Sequence, residues 1–379
     1  MQRLSYETLA SLGKADYVLR NAPERVLQFG EGNFLRGFVD YFFDILNEKN
    51  LFNGKVVVVQ PIAEGRAGLL NEQDGLYTVH LTGVENNTPV SIRRLVSVIS
   101  RAVNPYIDFA GFLANAANPD LRFIVSNTTE AGIAFDPRCS AADAPPSSFP
   151  AKVTRLLMER FRLFGKEKGK GFIVLSCELI DNNGKELLRC VENYAELWRQ
   201  PGEFVRWLHD ENIFCNTLVD RIITGYPHAT AAALNAENGY EDALLDTGEP
   251  FAFWAIEAPE HVKAELPFEQ AGLPIRIVAD QSPFKKRKVR ILNGMQTGVT
   301  LAAYLAGFDF EREYMQDDLV VAFLQRFLHK EILDVINLPE SDTLPFAGSC
   351  FDRLRNPSID HALMDITLNS VSKWRARVL

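Results

Sequence analysis

The sequence predicts an α/β protein. A Rossmann-like, doubly wound parallel sheet forms the N-terminal domain, and a mainly α-helical domain follows it. Three observations carry this prediction. The apolar run Arg25-Val26-Leu27-Gln28-Phe29 stops at Gly30-Glu31-Gly32 and gives way to a helical pattern with Phe34, Leu35, Phe38, Phe42, Ile45 and Leu46 on one face. The unbroken Lys55-Val56-Val57-Val58-Val59 comes next, as expected for a strand buried on both faces of a parallel sheet. From about Ser282 onward valine runs disappear and helical patterns such as Asp317 to Leu333 dominate.

The first two segments together make a βαβ unit, for which a right-handed crossover is expected. Further buried strands are predicted at Leu121 to Ser126 and Gly171 to Ser176. Both end in small polar residues, where an open α/β sheet places its ligand crevice. Ala141 to Pro150, rich in Ala, Pro and Ser, reads as a loop, and Asn183-Gly184 as a turn. The domain boundary is placed near 279–283, giving domains 1–281 and 282–379.

Composition narrows the function classes. In 379 residues, 40 Lys+Arg stand against 49 Asp+Glu for a net charge of −9, which argues against a general nucleic-acid binder. No apolar run approaches the roughly 20 residues of a membrane helix, and the N-terminus has no apolar signal core. The five cysteines are irregularly spaced without CxxC, and the six histidines lack HExxH. Reduced thiols in the cytoplasm, and no metal, are therefore expected.

Gly30 and Gly32 fit the first two glycines of a dinucleotide turn, where backbone N–H groups at a helix start meet a pyrophosphate. The third glycine of GxGxxG would fall at Leu35, so an ordinary tight βα turn stands as the alternative. The end of the second strand carries Gln60-Pro61, with Glu64 and Arg66 beyond, instead of the usual ribose-binding acid. These local residues leave NAD against NADP open.

The stretch Lys285-Lys286-Arg287-Lys288-Val289-Arg290-Ile291-Leu292-Asn293-Gly294-Met295-Gln296 reads either as a solvated basic patch or as chemistry. A lysine crowded by like charges and partly desolvated releases its proton more readily and can act as a base. Asn293 and Gln296, three apart, share a helix face. Lys288 lies five residues before Asn293, about 140° away around an ideal α-helix. Its side chain is therefore expected to curl over the helix end to join them.

With these residues in place, the chain resembles the polyol-specific long-chain dehydrogenase family, which includes mannitol dehydrogenase and the hexuronate reductases. The matching text is VLQFGEGNFLRGFVD (26–40), NEQDGLYT (71–78), FIVSNTTEAGI (123–133), SFPAKVTRLL (148–157) and SCELIDNNG (176–184). It continues with FCNTLVDRIITGYP (214–227), FWAIE (253–257), KVRILNG (288–294) and RLRNPSIDHAL (353–363). The pieces occur in order over nearly the whole chain.

The resemblance implies a metal-free hydride transfer between NAD(H) and a hexuronate-derived keto acid. Tagaturonate reduction to altronate is the first expectation and fructuronate reduction to mannonate the alternative. It places the family's K-x4-N-x2-H signature on Lys288, Asn293 and Gln296. The lysine serves as acid or base and the asparagine as alkoxide stabiliser. It implies cofactor contacts at Gly30, Gly32, Asn33, Phe34, Asn127 and Thr128. Substrate contacts are implied at Arg353, His361 and Asp220, with Asp220 near the lysine. For Asp220-Arg221 a structural ion pair, and for Arg353 a surface charge, stand as alternatives. The implied partner is a small keto acid or aldonate, with no nucleic acid or membrane, and the protein is expected as a monomer or small homo-oligomer.

Three departures stand out. The family histidine is Gln296, which can donate a hydrogen bond but cannot titrate, so a catalytically weak NAD-binding homologue is a further alternative. Ser176-Cys177-Glu178-Leu179 replaces Ser-Cys-Asp-Asn of the mannitol branch and favours a uronate. Family members continue past the position of Leu379, so the helical domain is expected to be incomplete.

Overall fold

The computed structural model describes residues 1–14, 17–129 and 131–379. Contacts divide the chain into two units. The first comprises Met1–Val79, Arg93–Thr247 and Phe253–Ala279; the second comprises His80–Ile92, Gly248–Ala252 and Asp280–Leu379. The second unit thus takes in two short segments that precede it in sequence, which no composition shift announces.

The strands, in chain order, are β1 (Glu24–Phe29), β2 (Lys55–Val59), β3 (Tyr77–Glu85), β4 (Thr88–Val96), β5 (Ile99–Val103) and β6 (Phe123–Ser126). They continue as β7 (Ile173–Ser176), β8 (Ile213–Asp220), β9 (Ile223–Gly225), β10 (Asp246–Gly248), β11 (Phe253–Glu257) and β12 (Ile275–Val278). An eight-stranded sheet runs β12-β11-β8-β7-β6-β1-β2-β5, and a smaller sheet runs β4-β3-β10-β9. In the large sheet every neighbouring pair is parallel except β8 and β11. The order turns outward in both directions from β1, so the first βα turn sits where a doubly wound sheet reverses.

Burial explains the unpatterned strands. All five residues of β2 and all four of β6 and β7 are buried, so alternation has no solvent face to mark. Leu27, Phe29, Val57, Ile124 and Val174 pack on the helix Phe149–Phe164 through Val153, Leu156 and Leu157. Truncating one of these to Ala costs about 2–5 kcal/mol.

Two local expectations are corrected. Asn183-Gly184 is not a turn but the start of the helix Asn183–Leu197. Asn183 Oδ1 accepts from the N–H groups of Gly184 and Thr217, both at 2.9 Å, and its amide donates to the carbonyls of Glu178 and Thr217. A Cβ on Gly184 would lie 2.3 Å from the Cys215 carbonyl oxygen, so this glycine serves helix–strand contact. The 141–150 loop ends at Ser148, whose hydroxyl accepts from Ala151 N–H and caps the helix beginning at Phe149, with Pro150 in its first turn.

The helix after β1 runs through Asn33–Leu35, a π turn Arg36–Asp40 and Tyr41–Glu48. All five π-turn residues are buried. The Arg36 guanidinium lies over the Tyr77 ring, donates to Leu244 O and Asn33 Oδ1, and is 3.9 Å from Asp246. Burial raises the carboxyls of Asp40 and Asp246 to about 7 each, with Gln28 and Arg36 pulling the other way at Asp40 and Arg36 at Asp246.

The second unit is helical apart from its strand segments. Its core gathers Ile291, Leu292, Met295, Val299, Tyr314, Leu324, Leu328, Ile332, Phe346, Cys350 and Leu363. The Asp317 carboxylate caps the helix Asp318–Phe327, which passes into the π turn Leu328–Leu333.

Candidate functional site

In the first unit the glycine turn is tightly packed at Gly30 and open at Gly32. Gly30 adopts φ 126°, and a Cβ there would meet Asn127 O at 3.2 Å and Leu35 Cδ1 at 3.1 Å. Gly32 is the N-cap of the following helix, with nothing within 4 Å of a built Cβ. The first-turn N–H groups and the helix dipole therefore sit beside an uncrowded backbone, which fits a dinucleotide pyrophosphate. The close-packing glycine missing at Leu35 is found two residues on. A Cβ on Gly37 would lie 2.6 Å from Ile223 Cδ1, so the third-glycine role falls in the π turn, outside the expected spacing.

The other candidate cofactor residues divide by what they touch. Asn33 Oδ1 accepts from Arg36 at 2.7 Å, so its side chain fixes the helix start. Phe34 and Asn127, with Thr129, Glu178, Leu179 and Val219, line a cleft of about 290 Å³. Asn127 Nδ2 donates to the Cys177 carbonyl at 2.6 Å. Thr128 places its N–H and its hydroxyl on Glu178 Oε1, both at 3.1 Å, and Ser126 Oγ donates to Glu178 Oε2 at 3.0 Å. Burial pushes the Glu178 carboxyl up, against the pull of these donors. Thr129 is held at φ 132°, a region β-branched residues avoid. Glu130, in the same motif, lies outside the described residues.

Gln60, at the end of β2, is buried and committed to its own loop. Its amide donates to Ile62 O and Ala63 O, both at 2.9 Å, and accepts from Ala67 N–H at 3.2 Å. Asp220, the last residue of β8, is buried and pairs in register with Phe253 of β11. The neighbouring Arg221 donates to Gly37 O at 2.9 Å and lies over the rings of Tyr41 and Phe42.

In the second unit the basic stretch is not a uniform α-helix. Ser282–Arg287 is α-helical, Lys288–Asn293 is a π turn, and Gly294–Leu305 is α-helical. This corrects the 140° separation expected for Lys288 and Asn293. In an i→i+5 turn residues five apart are separated by a smaller angle than in an α-helix, so the wider turn itself brings the two positions toward one face. Lys288 is half-buried, and Ile291 and Leu292 anchor the turn in the core.

Asn293, Gln296 and His361 are joined. Asn293 Nδ2 donates to Gln296 Oε1 at 3.2 Å. Gln296 Nε2 donates to Glu311 Oε1 and Oε2 at 3.0 and 3.3 Å. His361 Nδ1 lies 2.8 Å from Glu311 Oε2, and this hydrogen bond holds its pKa above the ordinary imidazole value. Arg353 is only 8% exposed, which excludes a surface charge, and its Nε and Nη2 are held by Glu249 at 2.9 and 2.8 Å. Glu178, Gly37, Glu249 and Glu311 were not singled out as site residues in the sequence. Glu311 lies 15 residues from Gln296 and 50 from His361, and no motif marks it.

Among the described residues no group of three or more His, Cys, Asp or Glu side chains could hold a metal ion, and no helix is long and apolar enough to cross a membrane.

Comparisons with known proteins cover almost the whole chain. The family description "Mannitol dehydrogenase Rossmann domain" matches residues 24–270, and "Mannitol dehydrogenase C-terminal domain" matches 280–379. The chain is 46% identical over 372 residues to an altronate oxidoreductase of Klebsiella pneumoniae (strain 342), covering 98% of this chain and 77% of the relative. It is 45% identical, with the same coverage, to an altronate oxidoreductase of Yersinia enterocolitica. Two solved structures share the fold. A D-sorbitol dehydrogenase in substrate-free form superposes with TM-score 0.84 at 24% identity, covering 99% of this chain and 79% of that one. A Pseudomonas fluorescens mannitol 2-dehydrogenase, in ternary complex with NAD and D-mannitol, gives TM-score 0.77 at 21% identity, covering 98% and 80%.

Proposed function

The chain belongs to the mannitol dehydrogenase family, and from that premise we propose that it is an NAD-dependent oxidoreductase interconverting D-tagaturonate and D-altronate. The observation that carries this reading is the 46% identity to an altronate oxidoreductase along almost the entire chain. Fructuronate reduction is the alternative within the same chemistry.

The cofactor, when bound, supplies or accepts the hydride. The turn at Gly30 and Gly32 and the helix behind it would hold its pyrophosphate, and the cleft of Phe34, Asn127 and Glu178 would take its reactive end. In the reducing direction Lys288 Nζ would give a proton to the carbonyl oxygen as the keto carbon takes up the hydride that the bound cofactor would supply. The C=O π bond becomes a C–H and an O–H bond. Asn293 donates to the oxygen as negative charge develops, an interaction stronger in the transition state than in the ground state. Arg353 is assigned to the substrate carboxylate, whose two oxygens match a guanidinium fork, and Asp220 and His361 are assigned to the substrate's polar surroundings. We place the enzyme in the cytoplasm as a monomer or small homo-oligomer, consistent with five buried, unbridged cysteines.

The test is NADH consumption with tagaturonate, fructuronate and fructose. Turnover greatest on tagaturonate is expected. Equal inactivity on all three, using folded protein that binds NADH, would remove the reading.

A further inference from the structure

Glu311 stands at the centre of a buried polar chain whose orientation only its charge can set. An amide has a donor end and an acceptor end of nearly equal shape, so Asn293 and Gln296 could each sit either way round. A carboxylate only accepts. It therefore forces Gln296 to present Nε2 to it, which turns Gln296 Oε1 toward Asn293. Asn293 must in turn present Nδ2, and its second Nδ2 hydrogen and its Oδ1 take up fixed directions. On its other side the same carboxylate takes the Nδ1–H of His361, and Tyr314 OH donates to Oε1 at 3.4 Å. Backbone fixes the register of the pair. Glu311 N donates to His361 O at 3.1 Å, and Leu363 N to Asp309 O at 2.9 Å, around a bridge between Phe310 and Ala362. Glu311 and Gln296 are 5% and 8% exposed, so water does not substitute readily for either partner.

We propose that Glu311 is a positioning residue for the reaction. It orients the Asn293 amide through Gln296 and holds His361 by Nδ1, which directs Nε2 away from the carboxylate as the titrating edge of the site. This rests on the assignment of Asn293 to the developing alkoxide. It also accounts for glutamine at 296. A glutamine passes the orientation imposed by a carboxylate on to a neighbouring amide, while the group that titrates is moved to position 361. His361 faces Glu311 from the helix Glu311–Tyr314, Asp365 from Leu363–Thr367 and Lys373 from Ser370–Arg377; Glu311 and Asp365 favour its charged form, and Lys373 opposes it.

The test moves the carboxylate one place along the chain. In Glu311→Gln one acceptor oxygen becomes an Nε2 donor, which faces the donor Gln296 Nε2 from the Oε1 position or the donor His361 Nδ1 from the Oε2 position. The expected result is a fall in kcat of roughly 10- to 100-fold with the NADH dissociation constant unchanged. The His361 ring resonances, followed by NMR, should titrate at lower pH than in the wild type. Adding Gln296→Glu restores a full set of donors and acceptors: Asn293 and the glutamine at 311 both donate to the carboxylate at 296, and His361 donates to the glutamine. In this double variant kcat should recover most of the loss while His361 still titrates low. A role in packing alone predicts no such recovery.

An unchanged kcat in folded Glu311→Gln, or a loss that Gln296→Glu does not relieve, overturns the proposal. If Glu311→Gln does not fold, the wild-type His361 titration decides the carboxylate link. A value at or below the ordinary one of 6.5 overturns it, and a higher one supports it. The NMR and NADH-binding arms need no sugar, so wrong substrate assignment is recognised separately, as a wild type that binds NADH but reduces none of the keto acids.

Discussion

Arg353 and Glu249 form a two-pronged ion pair inside the second unit, Nε to Oε2 at 2.9 Å and Nη2 to Oε1 at 2.8 Å, with side chains 5% and 1% exposed. The guanidinium also lies over the Phe251 ring, 4.3 Å from its centroid. Glu249 thereby fixes the plane and direction of the guanidinium. Removing one partner of a buried pair leaves the other charge uncompensated. Glu249→Gln should therefore cost about 3–5 kcal/mol in chemical denaturation. Arg353→Lys keeps the charge and loses the fork, so KM for the keto acid should rise about tenfold or more with KM for NADH unchanged. An unaltered keto-acid KM would assign Arg353 to the fold alone.

Lys288→Ala should lower kcat by roughly 10²- to 10⁴-fold, the usual worth of a positioned acid or base. NADH binding, measured by fluorescence, should stay nearly intact, because the turn at Gly30 belongs to the other unit. Loss of binding together with turnover would make Lys288 structural.

Gly30→Ala places a Cβ 3.1 Å from Leu35 Cδ1 and 3.2 Å from Asn127 O on a backbone at φ 126°. The strain is of order 1–3 kcal/mol and falls on the helix start at Leu35 and the loop at Asn127, the places proposed to hold the cofactor. NADH affinity should drop by about tenfold in calorimetry. Gly32→Ala has open space around its Cβ and an ordinary φ, so it should fold with near-normal stability.

Gln296→His should give no large gain in rate. Gln296 both donates to Glu311 and accepts from Asn293, and an imidazole at 296 that donates to Glu311 has only its other ring nitrogen left to accept. A gain of more than about tenfold in kcat/KM would show a site impaired by its glutamine.

Asp40 gives a pH signature of stability. Its folded-state pKa is raised to about 7 by burial, so between its ordinary value of 3.8 and about 7 the native state binds more protons than the unfolded state. Stability then falls as pH rises through that window. Asp246, also raised to about 7 by burial, adds in the same direction. Asp40→Asn should melt higher than the wild type at pH 8, with the difference shrinking toward pH 5. A difference that grows as pH falls would contradict the raised pKa.

Much of the first unit was legible because it rests on local chemistry. Valine runs mark strands buried on both faces, and Gly30-x-Gly32 marks the βα turn. Asn183-Gly184 misled, since its glycine answers to the Cys215 carbonyl of a strand about thirty residues on. The Lys288–Asn293 spacing misled in another way. A π turn and an α turn share the same local propensities, and packing of Ile291 and Leu292 coincides with the choice made here.

By itself, then, the sequence determined the α/β class and the βα glycine turn, which depend on neighbours within one helix turn or one strand, and its resemblance to a known family supplied the expected site residues. Only the tertiary structure decided that Gly37 supplies the close-packing glycine, that Arg353 is clasped by Glu249, and that Gln296 and His361 meet on Glu311. Those contacts join residues up to 186, 104 and 50 positions apart. No periodicity spans such distances, because burial and hydrogen bonding select the partners only after the chain has folded.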